Sequence, residues 1–431
     1  MVKRHLISLI LLVVCLNHVT SHAQSTLTLT GPWLVYHDNM FQYWAVNADG
    51  TAPTPITALS TIGGALWDQE TSPHSNYSAY FIGSDWYLLH LPDLTVKRIR
   101  TNIEGHYITS AWSPNGELFA FEGKSKGGGS DIFLYSTKTD QVTQLTATNA
   151  QPDGLFWSPD GVSIVYSSRI TSGYPSGTSA GRSSLWVANA ANGKTNKLFE
   201  VNSYDVFDID TDFLRWITPR TFTIAYTGLS CHDYEARTLD LDTLTMKVLY
   251  PAYFEDFAYA PTINKMLIAV SDEWSCSLNG TPQLRGIYLL TPENKPIARS
   301  NQPSDYPSVD WTTIRSTKIA DYSTRNFYIN SVVNIDTVRL VTWDATKGVF
   351  LFYQGENQIS EITPDGKVNM LPPSPIPLDF IVSEDGQYAA GISGGALTIG
   401  HAPDFTFTQT AISSSTIQET SLDWVPQEQI R

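Results

Sequence analysis

Carboxylates recur at one offset along this chain: Asp153, Asp212, Glu255 and Asp379 each stand four residues ahead of Trp157, Trp216, Tyr259 and Ser383. Asp208, Asp210, Asp256, Asp305 and Glu419 crowd the same stretches. Gathered at one place, such side chains can hold a hard cation through several oxygens, receive a basic side chain, or act in pairs as acid and base. Asp208-Ile209-Asp210-Thr211-Asp212 begins like a calcium loop, but Phe213 stands where an EF-hand needs glycine and Pro219 where it needs a bidentate glutamate. An EF-hand is excluded. Asp208, Asp210 and Asp212 remain candidates for another kind of calcium site, and calcium is the one cofactor the pattern suggests; none is required. The competing account is turn formation and strand entry, where acidic side chains accept hydrogen bonds from nearby backbone N–H groups.

Other constellations are weaker. Gly391-Ile392-Ser393-Gly394-Gly395 fits G-x-S-x-G, but a nucleophile elbow needs a strand followed by a helix. Here Tyr388-Ala389-Ala390 precedes and Ala396-Leu397-Thr398-Ile399 follows, which predicts a hairpin turn. The histidines at 37, 74, 90, 106, 232 and 401 lack close metal-ligand spacing, and no phosphate-cradling or dinucleotide motif occurs.

The N-terminus reads as an export signal. Lys3 and Arg4 precede an apolar run from Leu6 to Leu16, and Ser21-His22-Ala23 supplies small residues for cleavage near Ala23. Residues 1–23 are the expected signal peptide, and a secreted or periplasmic product without a transmembrane segment is expected. Removing Lys3 and Arg4 leaves 25 of 27 basic residues against 42 acidic ones, taking the formal charge from -15 to -17. Such a surface disfavours nucleic acid and favours cations, basic peptides or neutral glycans. Of three cysteines, Cys231 and Cys276 survive maturation, and an exported pair can form a disulfide.

The elements that must position these groups are short strands. Ser110-Ala111-Trp112-Ser113-Pro114-Asn115-Gly116 leads into Leu118-Phe119-Ala120-Phe121, then Asp131-Ile132-Phe133-Leu134-Tyr135, then Val142-Thr143-Gln144-Leu145-Thr146. Leu155-Phe156-Trp157-Ser158-Pro159-Asp160-Gly161 opens the same sequence of strands again. Proline presets φ and glycine accepts positive φ, fixing a tight turn between the first two strands of each unit. Candidate first strands are anchored at Trp67, Trp112, Trp157, Trp216, Tyr259, Trp311, near Ser383 and at Trp424. The long Trp311–Ser383 interval predicts an insertion near 312–335 or a misassigned strand. An all-β chain follows: a single β-propeller over residues 24–431, with about eight four-stranded blades, seven being the alternative. Ser421-Leu422-Asp423-Trp424-Val425-Pro426 reads as a first strand, and the strands beginning at Trp33, Phe41 and Pro55 as its partners. Residues 27–58 and 415–426 are expected to share the closing blade.

Residues 105–200 resemble the WD-like repeats of the TolB-type propeller family, whose blades carry a W/F-S-P-D-G turn and end in a short strand closing on Leu-Thr. Trp216-Ile217-Thr218-Pro219 and Ala258-Tyr259-Ala260-Pro261 carry the likeness less fully. That family's N-terminal α/β domain has no counterpart between Gln24 and the first strands. The resemblance therefore implies the fold and not the family's role.

Long loops at 168–183, 228–234 and 271–285 should lie at the same end as the carboxylates. Arg169, Tyr174, Arg182 and Trp274 are recognition candidates there, since aromatic and Arg side chains dominate binding hot spots. Cys231 and Cys276 each follow the second strand of their unit, which predicts a disulfide between adjacent blades. The expectation is a monomeric, noncatalytic binding or scaffold protein presenting an acidic, loop-rich face to a protein, peptide or glycan. The alternative is a hydrolase or lyase at the channel mouth, using carboxylates and a bound cation.

Overall fold

The computed structural model describes residues 33–425 apart from 39, 64–65, 101–108, 126–128, 149–150, 171–180, 204–207, 228–234, 251–253, 255, 271–285, 293–294, 298–315, 321–326, 330–331, 335–340, 346, 355–357, 372–380, 383–386, 403–405 and 414–421. Among these residues only Thr57–Ser60 is helical; the other regular elements are antiparallel strands.

The strands form eight blades. Blade 1 comprises Leu66–Thr71, Tyr77–Ile82, Asp85–His90 and Thr95–Arg100; blade 2 comprises Ser110–Trp112, Leu118–Lys124, Ser130–Ser136 and Gln141–Gln144. Blade 3 contains Pro152–Trp157, Ser163–Ile170, Gly181–Asn189 and Thr195–Ser203. Blade 4 contains Asp208–Thr218, Thr221–Thr227, Glu235–Asp240 and Met246–Tyr250, and Lys295–Ile297 joins its outer edge as a fifth strand. Blade 5 is built from Asp256–Ala260, Lys265–Val270, Gly286–Leu290 and Ser316–Ala320; blade 6 from Val341–Asp344, Val349–Gln354, Gln358–Ile362 and Val368–Met370. Blade 7 comprises Ile381–Val382, Tyr388–Ser393, Ala396–His401 and Thr406–Ser413. Blade 8 begins with Asp423–Val425 and continues with Trp33–His37, Tyr43–Asn47 and Thr54–Pro55. The hairpin Phe327–Ile329/Val332–Asn334 stands apart between blades 5 and 6. The chain is thus an eight-bladed β-propeller.

Side-chain alternation gives the blades two apolar faces, and the described apolar clusters bury these faces at seven junctions, from blade 7 through blades 8 and 1 to blade 6. In Lys265–Val270 of blade 5, Met266 and Ile268 join Leu249 and Tyr250 of blade 4, while Leu267 and Ala269 join Phe350 and Ile362 of blade 6. In blade 8, Trp33 and Val35 pack with Tyr80 and Leu89 of blade 1, whereas Leu34 and Tyr36 pack with Leu397 and Ile399 of blade 7. Every apolar cluster among the described residues spans two adjacent blades in this way.

The anchor tryptophans add a directional bond to this packing. Trp112 Nε1 donates to the Glu70 carbonyl of blade 1 at 3.0 Å, and Trp157 Nε1 to the Ala111 carbonyl of blade 2 at 3.0 Å. Gln69 Nε2 reaches the Leu422 carbonyl, next to the inner strand of blade 8, at 3.3 Å. The inner strands of blades 1, 2 and 3 are thereby tied to the ones before them, whereas the buried Trp216 Nε1 of blade 4 makes no such bond. The following turn is equally regular. Ser113 Oγ accepts from Leu118 N at 2.9 Å and donates to Asn115 Oδ1 at 2.8 Å, and Ser158 does the same with Ser163 N and Asp160. Gly116 and Gly161 complete the two turns at φ +68°.

Two expected anchors move. Ser72-Pro73 occupies the turn position of Ser113-Pro114, with Ser72 N donating to Tyr77 O as Ser113 N does to Leu118 O. The blade 1 counterpart of Trp112 is therefore Thr71, four residues beyond Trp67. The sixth inner strand carries Trp343, whose ring packs on Phe350 at 4.7 Å; Trp311 lies outside the described residues. Part of the interval expected to be an insertion, Ser316–Ala320, is the outer strand of blade 5, and the hairpin at 327–334 is the inserted piece.

Closure comes from pairing Val425, Trp424 and Asp423 with Trp33, Leu34 and Val35. Deleting residues 420–431 would strip Trp33–Val35 of their partner on the inner edge and open clusters whose large side chains each contribute about 2 kcal/mol by burial. The melting temperature of the truncated chain should fall sharply; a midpoint equal to that of the intact chain would contradict the closing role of Asp423–Val425.

Candidate functional site

In an antiparallel blade the inner strand starts at the end of the propeller that carries the loop between the second and third strands. Strand register, rather than sequence offset, decides which inner-strand residues share a level at that mouth. Asp153 pairs with Ser167, three residues beyond the partner of anchor Trp157. The same level in blade 1 holds Asp68, opposite Phe81. In blade 4 it holds Asp210, opposite Ala225, and in blade 5 Asp256, opposite Ala269. Blade 2 has Thr109 there, whose carbonyl accepts from Glu122 N at 3.0 Å. Five consecutive blades therefore have an acidic residue in register at this level or directly across from it.

Bulges hide this ring from a count along the chain. Register shifts between Asp153 and Leu155 and between Asp210 and Arg215, with regular pairing from Asp68 to Thr71, put unequal numbers of residues between carboxylate and anchor. Asp212 consequently falls inside the irregular stretch of blade 4, and Asp210 takes the level expected for it. Asp208, at the start of the same strand, pairs with Thr227. Glu255 and Asp379 lie outside the described residues; in blade 5 the level belongs to Asp256.

Where side chains are described, the mouth combines exposed and sheltered acids. Asp153 is exposed, and its carbonyl accepts from Ser167 Oγ. Asp68 is half-buried, and that burial raises its carboxyl above the usual range despite a 2.9 Å bond from Gln69 N. Glu122 is raised as well, first by burial and then by the charge of Asp153. Glu70 lies further along the blade 1 inner strand and accepts from Ser110 Oγ at 2.7 Å. Among the described residues no three His, Cys, Asp or Glu side chains are grouped to share a metal ion.

Two other acids near this end belong to the scaffold. Asp131, 1% exposed, accepts from Thr148 N at 2.8 Å, Thr146 Oγ1 at 3.0 Å and Gln144 Nε2 at 3.3 Å. It fixes the crossing from blade 2 to blade 3. Asp85 is bound by the Arg98 guanidinium, Nε lying at 2.7 Å.

Arg169 and Arg182 occupy the last paired rungs before the 171–180 loop, opposite Ser183 and Ile170 respectively. Both therefore belong to strands and not to the loop expected over 168–183, which is shortened from both sides. Tyr174, Trp274, Cys231 and Cys276 lie outside the described residues. Asp68, Glu122 and the level of Asp256 were absent from the offset pattern. Ser72-Pro73, which marks the true end of the first inner strand, was the available signal for Asp68.

No family model matches the chain, and no curated protein matches it. Among solved structures it is similar to a eukaryotic initiation factor, at 13% identity over 88% of this chain and 85% of that one, TM-score 0.45. It is also similar to Saccharomyces cerevisiae Sqt1, at 8% identity over 85% and 94%, TM-score 0.44. Pyrococcus horikoshii acylaminoacyl peptidase is a third, at 12% identity over 81% of this chain and 53% of that one, TM-score 0.43. The chain spans about half the length of the peptidase.

A carboxyl raised by folding favours the protonated native state. Its contribution is therefore best at low pH and is lost as pH rises from the unfolded pKa through the folded one. Glu122→Gln should raise the melting temperature at about pH 8 and leave it unchanged near pH 4. A variant no more stable than wild type at the higher pH would show that Glu122 is not strained by its charge.

Proposed function

We propose that this chain is an exported, noncatalytic β-propeller that receives basic side chains of a protein or peptide partner at its acidic mouth. The supporting observation is the shared register of Asp68, Asp153, Asp210 and Asp256, with Glu122 across from Thr109. Carboxylates on successive inner strands create a localised negative potential, which steers and orients a cationic partner. The leader sequence at residues 1–23 and the acidic composition support an extracytoplasmic setting, and no helix among the described residues is long and apolar enough to cross a membrane. Arg169, Tyr174, Arg182 and Trp274 supply the neighbouring recognition surface in this reading. A Cys231–Cys276 disulfide would steady two of its loops. Calcium is an alternative occupant of the mouth.

A second reading rests on Glu122. A carboxyl favoured in its protonated form beside an ionised carboxylate is the pairing from which acid–base catalysis is built, so a hydrolase or lyase at the same mouth is the competing function. Hydrolysis of an oligosaccharide by wild type that disappears in Glu122→Gln would establish it.

Binding of an oligolysine peptide, measured by calorimetry, tests the first reading. Affinity should weaken with salt and fall about tenfold or more when Asp68, Asp153, Asp210 and Asp256 are changed together to Asn. Matched Asn substitutions at Asp49, Asp93, Asp140 and Asp365, in turns on the opposite face, should have a much smaller effect. Equal losses in the two variants would remove the mouth from the account, and competition by calcium that a chelator reverses would reassign it to the ion.

A further inference from the structure

The opposite end of the propeller carries a second, differently built site. Between blades 3 and 4, on the face of the tight turns, lies a groove of about 520 Å³, a size within the range of small-molecule sites. Its walls are the turns after the first and third strands of each blade, far along the strands from the acidic mouth.

Arg220 bridges the two blades across this groove. Its Nε donates to Asp242 Oδ1 of blade 4 at 2.9 Å, and one terminal nitrogen donates to Ser163 Oγ of blade 3 at 3.3 Å. The guanidinium is held in place with N–H groups to spare. Asp160 stands near it: burial pulls its carboxyl up, but hydrogen bonds from Ser158 Oγ and Val162 N and the charge of Arg220 hold it below the usual range. Its Oδ1 serves the turn, accepting from Ser158 Oγ at 2.5 Å and Val162 N at 3.1 Å. The second oxygens of Asp160 and Asp242 have no hydrogen-bond donor among the described residues.

The asparagines are oriented by the same logic. Asn189 Oδ1 accepts from Ala191 N and Asn192 N, and Asn192 Oδ1 accepts from Lys194 N at 2.9 Å. With both oxygens committed to backbone N–H groups, each amide presents its NH2 as donor. The walls therefore hold both donors and acceptors, a mixture that neighbouring hydroxyls satisfy, since each hydroxyl both donates and accepts.

The floor is aliphatic. Leu241 is 7% exposed, and Val187 and Leu244 pack on the cluster shared by blades 3 and 4. Leu244 adopts φ +54°, a conformation that costs a bulky side chain energy and is tolerated where packing demands it. Charge is balanced as well: Asp160 and Asp242 oppose Lys194 and Arg220, in a chain of formal charge -15.

We propose that this groove binds a neutral saccharide, its hydroxyls on the Asp, Asn and Arg side chains and its C–H face on the aliphatic floor. The site is independent of the acidic mouth. Calorimetric titration of the purified full-length protein with maltotriose, cellotriose, mannotriose and tri-N-acetylchitotriose tests it. At least one should bind with Kd near or below about 1 mM, and both Arg220→Ala and the exposed turn variant Asn192→Ala should weaken that binding about tenfold. Asp153→Asn, at the other end, should leave it unchanged. The inference fails if none of the four binds up to about 10 mM, if Asn192→Ala and a folded Arg220→Ala bind as wild type does, or if trigalacturonate binds more tightly than every neutral sugar.

Discussion

A four-stranded antiparallel sheet with two apolar faces cannot persist alone in water, and each blade here has residues suited to burial on both sides. Phe81 and Trp86 of blade 1 are sealed by Trp112 and Phe119 of blade 2, whose Ile132 and Leu134 are in turn sealed by Trp157 and Ile164 of blade 3. A chain of such dependencies has to return to its start. The pairing of Asp423–Val425 with the strand beginning at Trp33 does this: it joins the two ends of the chain in one blade, whose faces pack on blades 7 and 1. The indole N–H bonds of Trp112 and Trp157 then fix how far one inner strand is rotated against the next.

Much of that was legible from residues alone because its causes are local. Ser-Pro-Asn-Gly and Ser-Pro-Asp-Gly spell out their own turn, and the alternation in Leu118–Lys124 and Ser163–Ile170 is a strand pattern in any context. Blade number and closure also followed from counting such units. What escaped were features that depend on pairing. Trp67 is conspicuous but precedes the register-defining Thr71-Ser72-Pro73, and Trp343 was overlooked because Asp344-Ala345-Thr346-Lys347-Gly348 lacks the proline of the other turns. Thr363-Pro364-Asp365-Gly366 shows the converse case, in which the turn signature joins the third and fourth strands of blade 6.

The candidate site was legible in kind and misplaced in detail. Acidic residues at inner-strand starts were evident from composition and spacing, but bulges after Asp153 and Asp210, absent between Asp68 and Thr71, separate spacing from level. Two of the four offset residues thus yield to near neighbours, Asp212 to Asp210 and Glu255 to Asp256. The groove between blades 3 and 4 had no sequence signal at all. Its residues belong to four turns and the strand ends beside them, each ordinary by itself, and only the packing of Phe222, Ile224 and Leu239 against Val165 and Leu185 brings them together. The two ends of the propeller consequently offer different chemistry, one negative, the other balanced and rich in hydrogen-bonding groups.

The most direct test of this account is equilibrium chemical denaturation of Trp112→Phe and Trp157→Phe, which keep an aromatic ring at each blade junction and remove the N–H that reaches the neighbouring strand. Each should lose roughly 1 to 2 kcal/mol, seen as a lower denaturation midpoint at unchanged slope, with the double variant losing close to the sum. Midpoints indistinguishable from wild type in both variants would contradict the view that the inner-strand ties hold the ring in register.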